Sequence, residues 1–551
     1  MRAALATVLA ALALTAAAAP PASAPPSPIS AARIRQDVRV LSSDAFEGRG
    51  PGQPAEHKTL DYLIAQFKAA GLQPGGPNGA WLQNVPLTQF DRSARVDASL
   101  TLPHTHAATP LLIDRDITVA SHQVGRTHID HAPIVFVGYG VNVPGWNSFD
   151  GADLHGKVAL ILANDPDFEA TPRDPAYGKF GGKAMVYPGR FGAKVAAAQA
   201  AGALAVFVIH EDGAASYPWR QVANGDRIAS MEIASPNGAQ KNATTSTVGV
   251  NGWIQRDVAI RLLHSAGLDF ARLKHAARDP NFKPIELKGA TLSLDFDVAS
   301  HPVISHNVIA RLPGAAHPDE TVIYGAHWDA NGKGAPVNGD DIRNGAVDNA
   351  TGTAEMVEVA RAFAHGPRPA RSLVFIAYTS EEKGLLGSDY YAAHPVWPLN
   401  KTVAVINLDP HVMLGRARNL ESIGFGRVSL EDDVAQAAAA EHLALTPEPH
   451  PEAGWYFRSD QYSFAKRGVP AVTFRIGRDL YAGGLKAGTA RAEDYNVKRY
   501  HQPGDAFDPA WTFAGSAQEA TVAWRVGLKV ANATAWPTWK PGAEFAKLRP
   551  R

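Results

Sequence analysis

The chain has 551 residues, too many for one ordinary hydrophobic core, so two or more domains are expected. Lys plus Arg and Asp plus Glu are equal at 53 each, which gives no electrostatic case for nucleic acid or acidic lipid as a partner. Hydrophobic residues make up 45%, as in a soluble globular protein; no segment past the N-terminus is long and apolar enough to span a bilayer, and the lack of Cys excludes disulfides and a thiol nucleophile or metal ligand.

The first stretch, "MRAALATVLAALALTAAAAPPASAPP", has one early Arg, an Ala/Leu-rich run, then small residues and prolines. It reads as a secretory signal peptide over 1–24, cleaved after Ala19 or after Ala22-Ser23-Ala24. The expectation is an exported protein, periplasmic or secreted, with no stable membrane insertion once the leader is gone. An uncleaved anchor is the alternative.

Residues 25–33 form a Pro/Ser/Ala linker. "AARIRQDVRVLSS" and "EHKTLDYLIAQFKAAGL" have apolar residues at helical spacing, with a turn-rich "DAFEGRGPGQP" between them. Residues 132–141 and 157–165 read as strands, 189–212 as helix, Gly turn and buried strand, and 290–298 as an alternating strand. From about residue 302 strands and helices alternate: strands at "HNVIARL", "ETVIYGAH", "RSLVFIAYTS", "KTVAVINLD" and "GVPAVTFRIG", with helices between them and a last one at "QEATVAWRVGLKVANATAW". This rhythm predicts an α/β fold, a mostly parallel mixed sheet flanked by helices, and near-continuous apolar strands imply that both sheet faces are covered.

Ligands bind such sheets beyond the carboxyl ends of the strands. His327-Trp328-Asp329 follows "VIYGA", Glu381-Glu382 follows "VFIAYTS", and Asp409 follows "AVINL". Asp348 lies in the loop "GAVDNATG", and His501 in "YNVKRYHQPGD". Taken singly, each has a plainer role: an Asp before a helix is a cap, and Ser380-Glu381-Glu382 is a helix start. Together they crowd two imidazoles and at least four carboxylates onto one sheet edge. Without a cation some carboxylates would have to protonate. His and carboxylate without Cys suit zinc, or less selectively manganese or cobalt.

His327, Asp348, Glu382, Asp409 and His501 carry three negative charges, which two divalent cations and one hydroxide balance. Asp348 in the middle can bridge, with one imidazole and one further carboxylate for each metal. Asp329, two residues past His327, can accept the second ring N–H and fix the tautomer. Glu382 then binds metal, and its neighbour Glu381 faces the metal-bound water as general base.

The set "GAHWDA", "GAVDNATGTAEMVEVAR", "TSEEKGLLGS", "INLD", "SDQYSFAKRGVPAV" and "YHQPGD" resembles the zinc-dependent aminopeptidase family, including bacterial leucyl aminopeptidase and aminopeptidases S and Y. Glutamate carboxypeptidase and glutaminyl cyclase are relatives. The resemblance spans most of 302–530. It implies one zinc held by His327, Asp348 and Asp409, a second by Asp348, Glu382 and His501, and Glu381 as general acid and base. It also implies that Tyr456 assists the tetrahedral intermediate. Two positions depart from the family pattern: Pro410-His411 follows Asp409, where His411 would enter the site as an extra polar group, and Gln461 stands where relatives often carry His. Residues 130–296 resemble the protease-associated domain, a β-rich insert, through "YPGRFGAKVAAAQAAGALAVFVIH" and its flanking strands.

The expected organisation is therefore leader 1–24, an N-terminal part of the peptidase over 25–129, the insert over 130–296, and the catalytic domain over 297–551. The expected activity is removal of N-terminal residues from peptides by a two-zinc exopeptidase. A carboxypeptidase using Arg343, Arg458, Arg475 or Arg478 for the substrate carboxylate, and a one-zinc glutaminyl cyclase, are the alternatives.

Overall fold

The computed structural model describes residues 27–103, 107–226, 228–234, 249–410 and 412–549. The leader and His411 lie outside the described residues.

One large mixed sheet runs through the chain. Its strand order is Val250–Gln255, Ala205–His210, Val158–Leu162, Gly125–Phe136, Ile285–Leu312, Arg371–Tyr378, His317–His327, Thr402–Asn407, Ala471–Ile476, Asn419–Ser422 and Ala444–Pro447. The strands Arg371–Tyr378, His317–His327, Thr402–Asn407 and Ala471–Ile476 are mutually parallel, so their carboxyl ends share one edge. Three of them are buried along their whole length, and His317–His327 is buried from Thr321 onward. Helices Ala31–Leu41, Glu56–Ala69, Gly352–Ala364, Leu430–Ala440 and Ala514–Asn532 supply apolar side chains to the main core. The alternation read from the sequence is thus the observed architecture, with coverage on both faces as its unbroken apolar strands require.

The stretches read as separate strands at 290–298 and 306–312 are one strand, Ile285–Leu312. Its first part pairs with Gly125–Phe136, its middle with Leu82–Arg92, and its end with Arg371–Tyr378. The mostly exposed stretch 299–304 hid the continuity, because there the strand leaves one core before entering the next. A second core gathers Phe90, Leu100, Ile117 and Val119 with residues from 129 to 298. The second lobe therefore takes in chain before position 130, and a single strand crosses position 296. Val298 is paired with Gly125, so the chain enters and leaves this lobe at neighbouring points. Its far edge is a parallel run of strands with helices Phe191–Ala200 and Arg256–Ser265, so the lobe is mixed α/β rather than β-rich.

Candidate metal centre

His327 is the last residue of the strand His317–His327, and its side chain is fully buried. Its Nδ1 donates to the backbone carbonyl of Asp329 at 3.1 Å, with an Asp329 carboxylate oxygen at 3.6 Å. The tautomer is therefore set mainly by the main chain of Asp329. Nε2 points into the carboxylate cluster, 3.2 Å from Asp348, 3.7 Å from Asp409 and 3.9 Å from Glu381. On the other side of Asp348, His501 Nε2 lies 3.3 Å from its second oxygen and 3.0 Å from Glu382. The ligand atoms of His327, Asp348 and Asp409 lie within 4.8 Å of one another, as do those of Asp348, Glu382 and His501. The fold thus brings the five residues into two sets sharing Asp348.

The turn that carries Asp348 and the Asp409 side chain are held from behind. The Asp505 carboxylate accepts the N–H groups of Val347 and Asp348, both at 3.1 Å, and the Tyr495 hydroxyl at 3.1 Å. Ser459 donates to Asp409 at 2.5 Å and itself accepts from Asn407. Asn349 donates to the carbonyl of Leu408, and a Cβ on Gly352 would stand 2.3 Å from that same oxygen. The close approach, open only to glycine, sets the Asp348 turn against the strand end that carries Asp409. Buried Arg49 donates to the carbonyls of Leu41, Trp328, Asn344 and Gly345, so one guanidinium fastens the backbone beside His327 to the backbone before Asp348.

The Glu381-Glu382 pair does not open a helix. Ser380 has φ +55°, residues 381–385 form a turn, and the helix Leu386–Ala393 starts later. The N–H groups of Glu381 and Glu382 donate instead to the two oxygens of Asp329, at 3.1 and 3.3 Å. Asp329 thus positions the pair through its carboxylate, a role the sequence reading assigned only toward His327.

The electrostatics ask for positive charge. Burial by itself would lower both imidazoles. The carboxylates around them outweigh it, holding His327 well above its usual value and bringing His501 to about 9. Burial would raise Asp348, yet the two imidazoles bring it well below the usual carboxylate range. Glu381 is pushed up, first by burial and then by Asp409, Asp460 and Glu382, against the lowering effect of His327. Among the described residues the buried His327 Nε2 atom has no aligned hydrogen-bond partner. A metal fits these residues: an orphaned imidazole nitrogen, oxygen donors and no thiolate form a zinc-type set.

The structure places Tyr456 elsewhere. A short turn, Trp455–Phe457, aims its ring into an aromatic cluster with Phe457 and Phe545, and its buried hydroxyl has no partner among the described residues. The cleft at Asp348, Glu381 and Asp409 is lined instead by Trp455, Arg458, Ser459 and Tyr500. Gln461 is a buried brace that donates to the Tyr456 carbonyl. Sequence reasoning missed Arg49 and Asp505, and it offered Arg458 only as one of four arginines that a carboxypeptidase would use. Asp505 stood inside a motif already marked, "YHQPGD", but nothing in the spacing said that its partners are main-chain N–H groups.

Residues 307–524 match Peptidase family M28. A probable zinc metalloprotease of Pyrenophora teres f. teres (strain 0-1) is 37% identical over 117 residues, 21% of this chain and 24% of that protein. Leucine aminopeptidase 2 of Arthroderma otae is 29% identical over 213 residues, 37% of this chain and 40% of that protein. The chain spans about a quarter of the length of the first curated relatives it matches, 24% and 26%. Among solved structures, the aminopeptidase from Aneurinibacillus sp. strain AM-1 aligns over 90% of this chain and 94% of its own, with a TM-score of 0.51 and 20% identity, a likeness of fold. The family match and the curated relatives therefore repeat the resemblance to zinc peptidases carried by the sequence motifs, and the solved structure repeats the fold.

Proposed function

We propose, from the match to Peptidase family M28 over 307–524, that the protein is an exported metallopeptidase that holds two zinc ions and removes N-terminal residues from peptides. The observation that carries this reading is the pair of three-residue ligand sets sharing Asp348. His327 and Asp409 would complete one set, and Glu382 and His501 the other; manganese or cobalt would suit the same donors. Export rests on the composition of residues 1–24 alone. Bound there, zinc supplies a Lewis acid for the scissile carbonyl and lowers the pKa of water toward neutrality.

The chain's own residues do the rest. Glu381 stands beside the cluster in surroundings that favour a proton on its carboxylate. It takes the proton of the attacking water as the oxygen adds to the carbonyl carbon. It then returns that proton to the leaving nitrogen as the C–N bond breaks, so acid and base are one group. Asp329 fixes where Glu381 stands, through the main chain. The shared carboxylate of Asp348 keeps the two sets together, which speaks against a one-zinc cyclase.

The test is elemental analysis of the zinc-loaded mature chain, together with hydrolysis of aminoacyl and N-terminally blocked peptides. Two equivalents of metal, cleavage only of peptides with a free amino group, and activity lost to a chelator and restored by zinc are expected. At most one equivalent, or cleavage that ignores the amino group, overturns the reading.

A further inference from the structure

A serine, a histidine and a glutamate line up away from the metal centre. The strand Ser230–Ile233 pairs antiparallel with Leu82–Arg92, with Ser230 opposite Phe90. Side chains two apart on a strand share a face, so Ser230 and Glu232 are presented together. The His122 ring lies against both and stacks on the Phe90 ring, with centroids 4.5 Å apart and planes at 24°. Its Nδ1 meets the Glu232 carboxylate, and its Nε2 lies 3.1 Å from the Ser230 hydroxyl oxygen.

A carboxylate has no proton to give, so the Nδ1 proton points at Glu232. The lone pair of Nε2 is then left for the Ser230 O–H. Hydroxyl, imidazole and carboxylate in this order let an imidazole take a serine proton. The Glu232 side chain is 5% exposed and that of His122 23%, so the acid is buried behind an imidazole that stays in reach of solvent. Ser230 also forms part of the wall of a cavity of about 510 Å³, which shares no residue with the cleft at the metal centre. A hydrogen-bond brace would account for the three side chains alone. It does not account for a hydroxyl set at the wall of a cavity with room for a small molecule.

We propose that Ser230 is the nucleophile of a second, metal-independent hydrolytic site that acts on small neutral carboxylic esters, with His122 as its base and Glu232 as the positioning residue. The cavity wall carries Phe90, Ile113 and Val119 together with Asp91, Arg92 and Asp114. Two carboxylates to one guanidinium favour a neutral molecule over an acid, and the apolar side chains suit an acyl chain. Ser230 Oγ bonds to the acyl carbon while His122 Nε2 takes its proton. As the C–O bond to the alcohol breaks, that proton passes to the leaving oxygen. Water then gives a proton to the same nitrogen and adds to the acyl carbon. The bond to Oγ breaks, the proton returns to Ser230, and the free acid leaves.

The test treats the zinc-loaded wild-type chain with an alkyl fluorophosphonate, whose phosphorus bonds to an activated serine as fluoride leaves, and locates the label by peptide mass spectrometry. One label per chain, on Ser230, is expected. No label, or label on other residues only, overturns the site without recourse to any variant. Labelling should slow by about a hundredfold or more in His122→Ala, the scale of one positioned base. It should slow by about tenfold or more in Glu232→Gln, with part of the rate restored in Glu232→Asp. A rate in His122→Ala equal to the wild type makes His122 a brace and overturns the proposal. Zinc-loaded Glu381→Gln should hydrolyse p-nitrophenyl butyrate and keep that rate after a chelator is added, and adding Ser230→Ala should remove it. Ester hydrolysis that disappears with zinc belongs to the metal centre and overturns the second site while leaving the peptidase reading untouched.

Discussion

The carboxylate of Asp329 accepts the backbone N–H of Glu381 at 3.1 Å. Its other oxygen takes the N–H of Glu382, so one side chain past the end of the His327 strand holds the main chain of the neighbouring strand's end. Asp329→Asn puts an amide N–H against one of these donors. It should lower kcat by roughly tenfold or more, the scale for partners that orient a metal site. Unchanged kcat and zinc content in that variant would remove Asp329 from the positioning role.

Glu381 and Glu382 should respond differently to the same change. Glu381→Gln should keep two equivalents of zinc and lose about a hundredfold or more in kcat, as expected for one positioned general base. Glu382→Gln should lose zinc from one set, because an amide oxygen is a weaker ligand than a carboxylate, and excess zinc should restore part of its activity. Equal and zinc-independent losses would mean that the two glutamates do not divide the work this way.

Arg49 is buried and donates to four main-chain carbonyls. Arg49→Met strips those carbonyls of their donor in a dry place, at about 1–3 kcal/mol for each group left unpaired. A loss of roughly 3 kcal/mol or more should appear in urea unfolding, with weaker zinc retention, since the loops beside His327 and Asp348 come loose. A midpoint equal to the wild type would show that water replaces the guanidinium without cost.

Gly352→Ala should destabilise the chain by about 1–3 kcal/mol, the usual cost of overpacking. The new Cβ meets the Leu408 carbonyl at 2.3 Å and the Asn349 side-chain oxygen at 2.4 Å. Relief requires the Asp348 turn to move away from Asp409, so competition with a zinc chelator should release metal faster. Thermal unfolding and chelator kinetics both unchanged would contradict this account.

Glu355 and Glu519 are buried acids, and burial pushes both up, Glu519 to about 8. Between about pH 4.5 and 8 the folded chain holds a proton at Glu519 that the unfolded chain has released. The folded state then binds more protons, so the slope of stability against pH is negative in that window. This contribution is complete below about pH 4.5 and is lost as pH rises through 8. Tm should fall from pH 6 to pH 9, and Glu519→Gln should reduce the fall, since its amide oxygen can still accept the Ile476 N–H. An equally steep fall in the variant would assign the pH dependence to other groups.

The strand and helix rhythm after residue 302, and the residues that gather at one sheet edge, follow from residue order alone. Parallel strands buried on both faces must be continuous apolar runs, and their carboxyl ends must share an edge. His327, Glu381 and Asp409 were therefore legible as strand-end residues before any coordinates. The helix Gly484–Lys498 ahead of His501 was not, because its exposed, mixed sequence carries little apolar periodicity. Nor was the single strand from Ile285 to Leu312, whose exposed middle reads as a break. Which groups hold which across long separations depends on the folded chain. Asp329 accepts from Glu381, Asp505 from Asp348, Arg49 serves four carbonyls, and Met185 of one lobe donates to the Pro451 carbonyl of the other. Main-chain partners carry no signature in residue type, and contacts between lobes depend on how two cores dock. Tyr456 is the converse case: the family resemblance suggested the cleft, and one short turn aims its ring into an aromatic cluster.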